Sequence, residues 1–426
     1  MTCVNRDIEE AAPVPVRMPR HTRPGLRAPA LGVCLLLLAI LATACGTPSA
    51  PAPVPQVTGR PLGSSFVAVE ALGFPARSKA AVASTTPQGA TTVEGTTDQS
   101  GRLNASVPVP EGYQGPLDVK VTVGAAAATT TVTAGAAAGG TPAGDAGVRP
   151  LGDITCTTTS DVSSPPSASP GEVVCLTGEL SARLVIDHGG TPQSPVIYSG
   201  GGDTKVEGID VTTDNVIVEG FISEDASNMG ARLLGDNITF RDNTITHPVY
   251  GGDDTDGMRF FGDNITILHN TISDVSDGSD CGDEGCGDGP HPDCMQTYYS
   301  DNYPTSSNIT IEGNRCENAA AQCLIAEGPQ IPDEGVNGPG ASTGWTFFNN
   351  YCETGAAQAV QFKNVTDVTI ADNFFDGKNN KAISLSDGSI GAHVGGNKLG
   401  EKTPKLITFD DDTVAAGYIG PQPDQS

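Results

Sequence analysis

The densest chemistry in the sequence is the segment His291-Pro292-Asp293-Cys294-Met295-Gln296. A histidine beside an aspartate can act as general base or metal ligand, and the aspartate as general acid or base. An earlier segment, Asp256-Gly257-Met258-Arg259, aligns with it. The alignment places Asp254 over His291, Asp256 over Asp293 and Arg259 over Gln296. If the two copies are neighbouring strands, the carboxylates of Asp256 and Asp293 sit about 5 Å apart. At that separation like charges raise one pKa or hold a cation. It also approaches the spacing of the paired carboxylates of retaining glycosidases. Plainer roles fit the same residues: Asp capping the turn into each strand by accepting backbone N–H groups, and His291 solvated on a loop. Asp256 and Asp293 share the parity of Met258 and Met295, so they face outward only if the chain bends on entering each strand, where Gly257 and Pro292 stand.

Around this pair, Arg232 and Arg259 occupy adjacent outward positions, suited to a substrate carboxylate or to neighbouring aspartates. Gln296, Tyr298, Glu327, Gln361 and Lys363 extend the same face and are expected substrate contacts, Glu327 and Lys363 suiting an ion pair as well. Just before His291, the segment from Asp277 to Asp288 sets acids among glycines. Oxygen ligands on flexible backbone suit Ca²⁺, with Asp280, Asp283, Glu284 and Asp288 as the expected ligands. The spacing departs from an EF-hand loop, and an acidic loop tied by a disulfide needs no metal. Zinc is not expected, because disulfides account for the cysteines better.

What must position these residues is a repeat. Asn237-Ile238-Thr239-Phe240 with Asn243-Thr244-Ile245 recurs as Asn264-Ile265-Thr266-Ile267 with Asn270-Thr271-Ile272, and as Asn308-Ile309-Thr310-Ile311 with Asn314-Arg315-Cys316. Weaker copies end near Cys352, Phe375 and Leu399. Between copies lies a second strand, such as Met258-Arg259-Phe260, Met295-Gln296-Thr297 or Val360-Gln361-Phe362. A period of roughly two dozen residues with alternating apolar strands closes no core within one copy, so the copies stack as coils of a solenoid. Asn tolerates left-handed backbone, so Asn243, Asn270, Asn314, Asn350, Asn373 and Asn397 are expected at the bends, hydrogen-bonded from coil to coil.

This pattern resembles the pectate-lyase-like superfamily of right-handed parallel β-helices over residues 150–420. The His-x-Asp-x-x-Gln arrangement is similar to one found in many secreted β-helix proteins, a grouping with no single activity. Asp256-Gly257-Met258 resembles the strand entry of polygalacturonase-like enzymes, but the Gly-His-Gly and Arg-Ile-Lys segments of those hydrolases are missing. The resemblance implies an all-β fold and an extended glycan lying in a groove walled by the two long excursions, residues 274–292 and 327–342. The expected activity is hydrolysis by Asp256 and Asp293. Elimination is the other route, with a cation or Arg232 and Arg259 on a uronate and His291 or Lys363 taking the proton. A surface protein that binds glycan or serves as a spacer is the alternative.

Stacked coils bring equivalent positions about 4.8 Å apart, within disulfide reach. That predicts Cys316 with Cys352 and Cys294 with Cys323, leaving Cys281 with Cys286 and Cys156 with Cys175. Ahead of the solenoid, residues 1–45 read as an export signal: arginines, a short apolar run and Ala42-Thr43-Ala44-Cys45, similar to a bacterial lipobox with Cys45 as the lipidated residue. Residues 46–59, rich in Pro, Ala, Ser and Thr, are expected to be a disordered tether. Residues 60–133 are expected to form a small immunoglobulin-like sandwich, and 134–149 an Ala/Gly linker. A net charge of −27, with no Lys/Arg cluster after residue 45, argues against nucleic acid as a partner. The expectation is a monomer, membrane-anchored by lipid or secreted.

Overall fold

The computed structural model describes residues 54–134, 154–250, 255–276, 292–303, 305–329, 342–409 and 417–423. Its first part is a β-sandwich of seven antiparallel strands. A three-stranded sheet (Gln56–Leu62, Phe66–Leu72, Leu103–Pro108) packs on a four-stranded one (Lys79–Thr86, Gly89–Thr96, Gly115–Val123, Ala126–Ala134). Alternate residues such as Val69, Val82, Val107, Val119 and Val121 form its core. The first strand starts inside the segment expected to be a tether, because Val57 packs on that core and residues 56–62 pair with 66–72.

The second part is an all-β, right-handed parallel β-helix, as expected. Each coil contributes one strand to a nine-stranded sheet and a bent strand pair to a seventeen-stranded sheet, counted over the described residues. Five successive strands of the nine-stranded sheet concern the site: Met229–Leu234, Asp256–Phe261, Met295–Tyr298, Leu324–Glu327 and Gln358–Lys363. Identical positions stack in register, so inward residues form continuous apolar columns such as Phe240, Ile267, Ile311, Phe347 and Ile370. Where an inward column narrows to Thr297 and Ala326, between Phe260 and Phe362, Trp345 turns in from the other sheet. Its ring lies 5.9 Å from Phe260 and 6.0 Å from Phe362. The only tryptophan of the chain thus fills the space that two small residues leave.

The cysteines depart from the expected pairing. Cys156–Cys175 forms, but the other two disulfides are Cys294–Cys316 and Cys323–Cys352; Cys281 and Cys286 lie outside the described residues. Cys316 does stack on Cys352, yet side chains in one parallel column run side by side and do not converge. The bonds instead cross the interior within one coil, over Cα separations of 6.1 and 5.7 Å. In the preceding coils the same two columns hold Gly230 facing Ile245 and Gly257 facing Ile272. A Cβ on either glycine would meet the isoleucine Cγ2 at 2.2 and 2.4 Å. Each disulfide therefore stands where a glycine otherwise receives an isoleucine.

The Asn ladder is present, with a different backbone from the one expected. Each ladder Asn accepts, through Oδ1, the N–H of its counterpart in the previous coil: Asn270 from Asn243 (3.0 Å), Asn314 from Asn270 (2.9 Å), Asn350 from Asn314 (2.9 Å), Asn373 from Asn350 (2.8 Å) and Asn397 from Asn373 (3.0 Å). The left-handed residue is the one just before: Asp242, His269, Gly313, Asn349, Asp372 and Gly396. That residue makes the turn, and the Asn after it points into the bend. At the opposite end of the same strands, Asn237, Asn264 and Asn308 are themselves left-handed, and Asn264 Nδ2 donates a hydrogen bond to Asn237 Oδ1 at 2.6 Å.

The sandwich rests on the seventeen-stranded sheet. Leu62 and Phe66 cover Phe348 and Ala371, Arg60 pairs with Glu312 at 2.7 Å, and Asn308 donates to Asp98 at 2.9 Å. Ser106 Oγ lies 2.6 Å from Thr369 Oγ1 and 2.8 Å from His393 Nδ1. These residues border a crevice of about 450 Å³ shared with Asp367 and Tyr418. Burial lowers the His393 pKa to about 4 and raises that of Asp367 to about 6. The depressed histidine contributes stability that is present above its ordinary 6.5 and lost as pH falls towards 4. The raised aspartate contributes stability present below 3.8 and lost as pH rises through 6. Asp367→Asn stays neutral, so it should match the parent near pH 4 and exceed it by about 2 kcal/mol near pH 7.5. Urea melts of both chains at the two pH values check this, since His393 contributes equally to both.

Candidate functional site

Every sandwich contact above falls on the seventeen-stranded sheet, which leaves the outer face of the nine-stranded sheet as the place to look. Two columns of side chains line it. One runs Asp210, Arg232, Arg259, Gln296, Ile325, Gln361. The other runs Leu234, Phe261 and, on the coils that follow, Tyr298, Glu327, Lys363.

The bend required of Asp256 and Asp293 is present. Gly257 and Met258 both face the interior, as do Cys294 and Met295. Two inward residues in succession break the alternation, so the aspartate before each pair turns to the outer face. There Asp256 Oδ2 meets Arg259 Nε at 2.5 Å, the two residues being 0% and 7% exposed. Asp256 Oδ1 accepts the backbone N–H of Asp293 at 3.0 Å, and Asp293 Oδ1 accepts that of Gln322 at 2.6 Å. Each carboxylate therefore caps the strand entry one coil on, and Asp293 is also 0% exposed. Stacking on adjacent coils brings them together as expected, in the capping role as well.

The cations of the face are matched by acids. Arg183 grips Asp210 through Nε and Nη2 at 3.1 and 2.8 Å, and Arg232 approaches the same carboxylate at 3.3 Å. Glu327 and Lys363, in register on neighbouring strands, form an ion pair. Neutral groups fill the remainder. Gln358 Nε2 donates to Gln322 Oε1 at 3.3 Å and to Gln361 Oε1 at 3.1 Å. Gln296 Oε1 is buried with no hydrogen-bond partner among the described residues. Tyr298 packs edge-on against Phe261 (5.1 Å) and Tyr303 (5.7 Å), with Arg259 over its ring at 5.9 Å. Tyr299 is exposed.

His291, Asp280, Asp283, Glu284, Asp288 and Cys45 lie outside the described residues. Within the described residues no group of three or more His, Cys, Asp or Glu side chains is placed to hold a metal. Reading the sequence missed Arg183, Asp210, Gln322, Gln358 and Tyr303. Gln322 carried a signal, because Gln322-Cys323-Leu324 repeats the order of Asp293-Cys294-Met295. Arg183 and Tyr303 carried none, since both reach the face from outside the repeated strands.

No family model matches the chain, and no curated protein does. Among solved structures it is similar to the A-module of a mannuronan C-5 epimerase, AlgE6, of Azotobacter vinelandii. Identity is 11% over 60% of this chain and 92% of that one, with a TM-score of 0.18. It is also similar to the catalytic domain of a GH87 α-1,3-glucanase in complex with nigerose, at 10% identity over 84% and 92% of the two chains and a TM-score of 0.19. At these values the likenesses assign neither activity nor ligand to this chain.

Proposed function

We propose that this protein is an extracytoplasmic polysaccharide-active enzyme whose glycan lies along the outer face of the nine-stranded sheet. The observation that carries the reading is the convergence, on adjacent coils, of two outward-turned carboxylates with a belt of amides and tyrosines. As a hydrolase, the ion-paired Asp256 serves as the ionised carboxylate and Asp293 donates a proton to the leaving oxygen. His291, close to Asp293 in sequence, is the further candidate base. Arg232, Arg259, Gln296, Tyr298, Glu327, Gln361 and Lys363 would line the sugar. Three disulfides among the described residues fit an oxidising compartment; attachment through a lipid on Cys45 belongs to the proposal.

The test is a product assay on neutral and uronate polymers. New reducing ends without the ultraviolet absorbance of an unsaturated uronate identify a hydrolase; both together identify a lyase. Asp293→Asn should lower turnover by about 10²- to 10⁴-fold while the chain still binds polymer. Arms with calcium and with EDTA test whether Asp280, Asp283, Glu284 and Asp288 supply a Ca²⁺ site. A second reading is favoured by the full burial of Asp256 and Asp293 and by their capping bonds. Under it the face binds glycan without cleaving it, and the assay returns binding with no product.

A further inference from the structure

We propose that the glycan taken by this face is uncharged, an inference that rests on the reading of the face as a glycan site. A uronate polymer carries a carboxylate on every residue, and binding it requires cations whose charge is available. From the Arg232 coil to the Lys363 coil, each cation on the described face stands against an acid: Arg183 holds Asp210 by two hydrogen bonds with Arg232 3.3 Å from the same carboxylate, Arg259 holds Asp256, and Lys363 pairs with Glu327. Arg183 and Arg232 share the one carboxylate of Asp210, so the pairs leave a single positive charge on the face, within a chain of net charge −27, where a uronate polymer brings a carboxylate on every sugar. Lys381, one coil beyond Gln358, has no ion pair among the described residues, and it stands at the edge of this stretch.

To seat a uronate, Arg259 would have to leave Asp256, a carboxylate that is 0% exposed. Breaking such a pair strands a buried charge, which opposes the exchange strongly. What the face leaves open is neutral. Gln296, Gln322, Gln358 and Gln361 sit on three consecutive coils, and a primary amide offers both donors and acceptors, the complement of a sugar hydroxyl. The unpartnered Oε1 of Gln296 is an acceptor in need of a donor, which a hydroxyl supplies and an ionised carboxylate does not. Tyr298 and Tyr303 add rings with an apolar face and a polar edge, suited to the C–H face of a pyranose. A site built to hydrogen-bond hydroxyls discriminates by leaving its own polar groups unpaired when the wrong ligand enters.

Affinity electrophoresis of the whole chain tests this, through gels loaded with dextran, xylan, galactomannan or β-glucan, and with polygalacturonate or alginate. Runs at about 20 and about 300 mM salt separate charge-driven from hydroxyl-driven retardation. The expected result is retardation by at least one neutral polymer, unchanged by salt within about twofold, and none by either uronate polymer. Gln296→Ala and Gln361→Ala should each weaken that retardation by about tenfold with an unchanged thermal melt. Retardation by a uronate polymer that fades with salt, with no neutral polymer bound, overturns the uncharged ligand and keeps the glycan reading. Retardation by none of the polymers, from a chain with a cooperative melt, overturns both.

Discussion

Asn314→Ala should cost this protein about 4 kcal/mol, measured by urea unfolding of the variant and the parent. The loss comes from partners left behind in a sealed bend. Asn314 is 1% exposed. Its Oδ1 accepts the Asn270 backbone N–H and side-chain amide at 2.9 and 3.0 Å, and its Nδ2 donates to Ile267 O and Asn350 Oδ1 at 2.9 and 3.1 Å. Alanine leaves the Asn270 N–H buried and unmet, which costs about 1–3 kcal/mol, and takes away the donor that Asn314 Nδ2 brings to the Ile267 carbonyl and to Asn350 Oδ1. Asn314→Asp separates the contributions. It keeps the acceptor for Asn270 but removes the donors, setting a carboxylate against two oxygens, so it should lose at least as much at neutral pH. In a solenoid each coil is held by its neighbours, so hydrogen exchange in the variant should rise first in the coils carrying Asn270 and Asn350. A loss below about 1 kcal/mol would mean that water enters the bend and the ladder is not a structural spine.

Arg259→Met should destabilise the chain by about 3 kcal/mol, and Asp256→Asn added to it should recover most of that loss. Methionine covers a similar length of face, so the cost is the carboxylate left without its guanidinium in a place water does not reach. The double variant has no charge to strand, and replacing a buried ion pair by neutral groups is often neutral or better. A full thermodynamic cycle of the two single variants and the double one reads the coupling directly. If the single variant loses little, Arg259 is available to a ligand after all, and the case for an uncharged glycan weakens with it. If the loss is as expected, Arg259 holds Asp256 in place, and its effect on turnover should follow that of Asp256→Asn.

The amino-acid sequence by itself determined the solenoid, because a repeat that cannot bury its own apolar strands leaves stacking as the remaining way to make a core. It determined which strands lie side by side, since the Asn-Ile-Thr copies set the register that places Asp256 beside Asp293 and Glu327 beside Lys363. Tertiary structure decided what lies across the interior. Stacking relates positions along a column, whereas Cys294 meets Cys316 and Gly230 meets Ile245 across the lumen, a relation no period encodes. Which ladder neighbour turns left-handed was likewise decided by the bend, where Asp242 or Gly313 makes the turn and frees the following Asn to bond between coils. The site divided in the same way. Its columns were legible in the repeat, and ion pairing of the arginines with aspartates and of Glu327 with Lys363 was one of the two roles open to them, while the acid each arginine takes was not, because Arg183 approaches Asp210 from outside the column and Asp256 reaches Arg259 only where the bend at Gly257 forms.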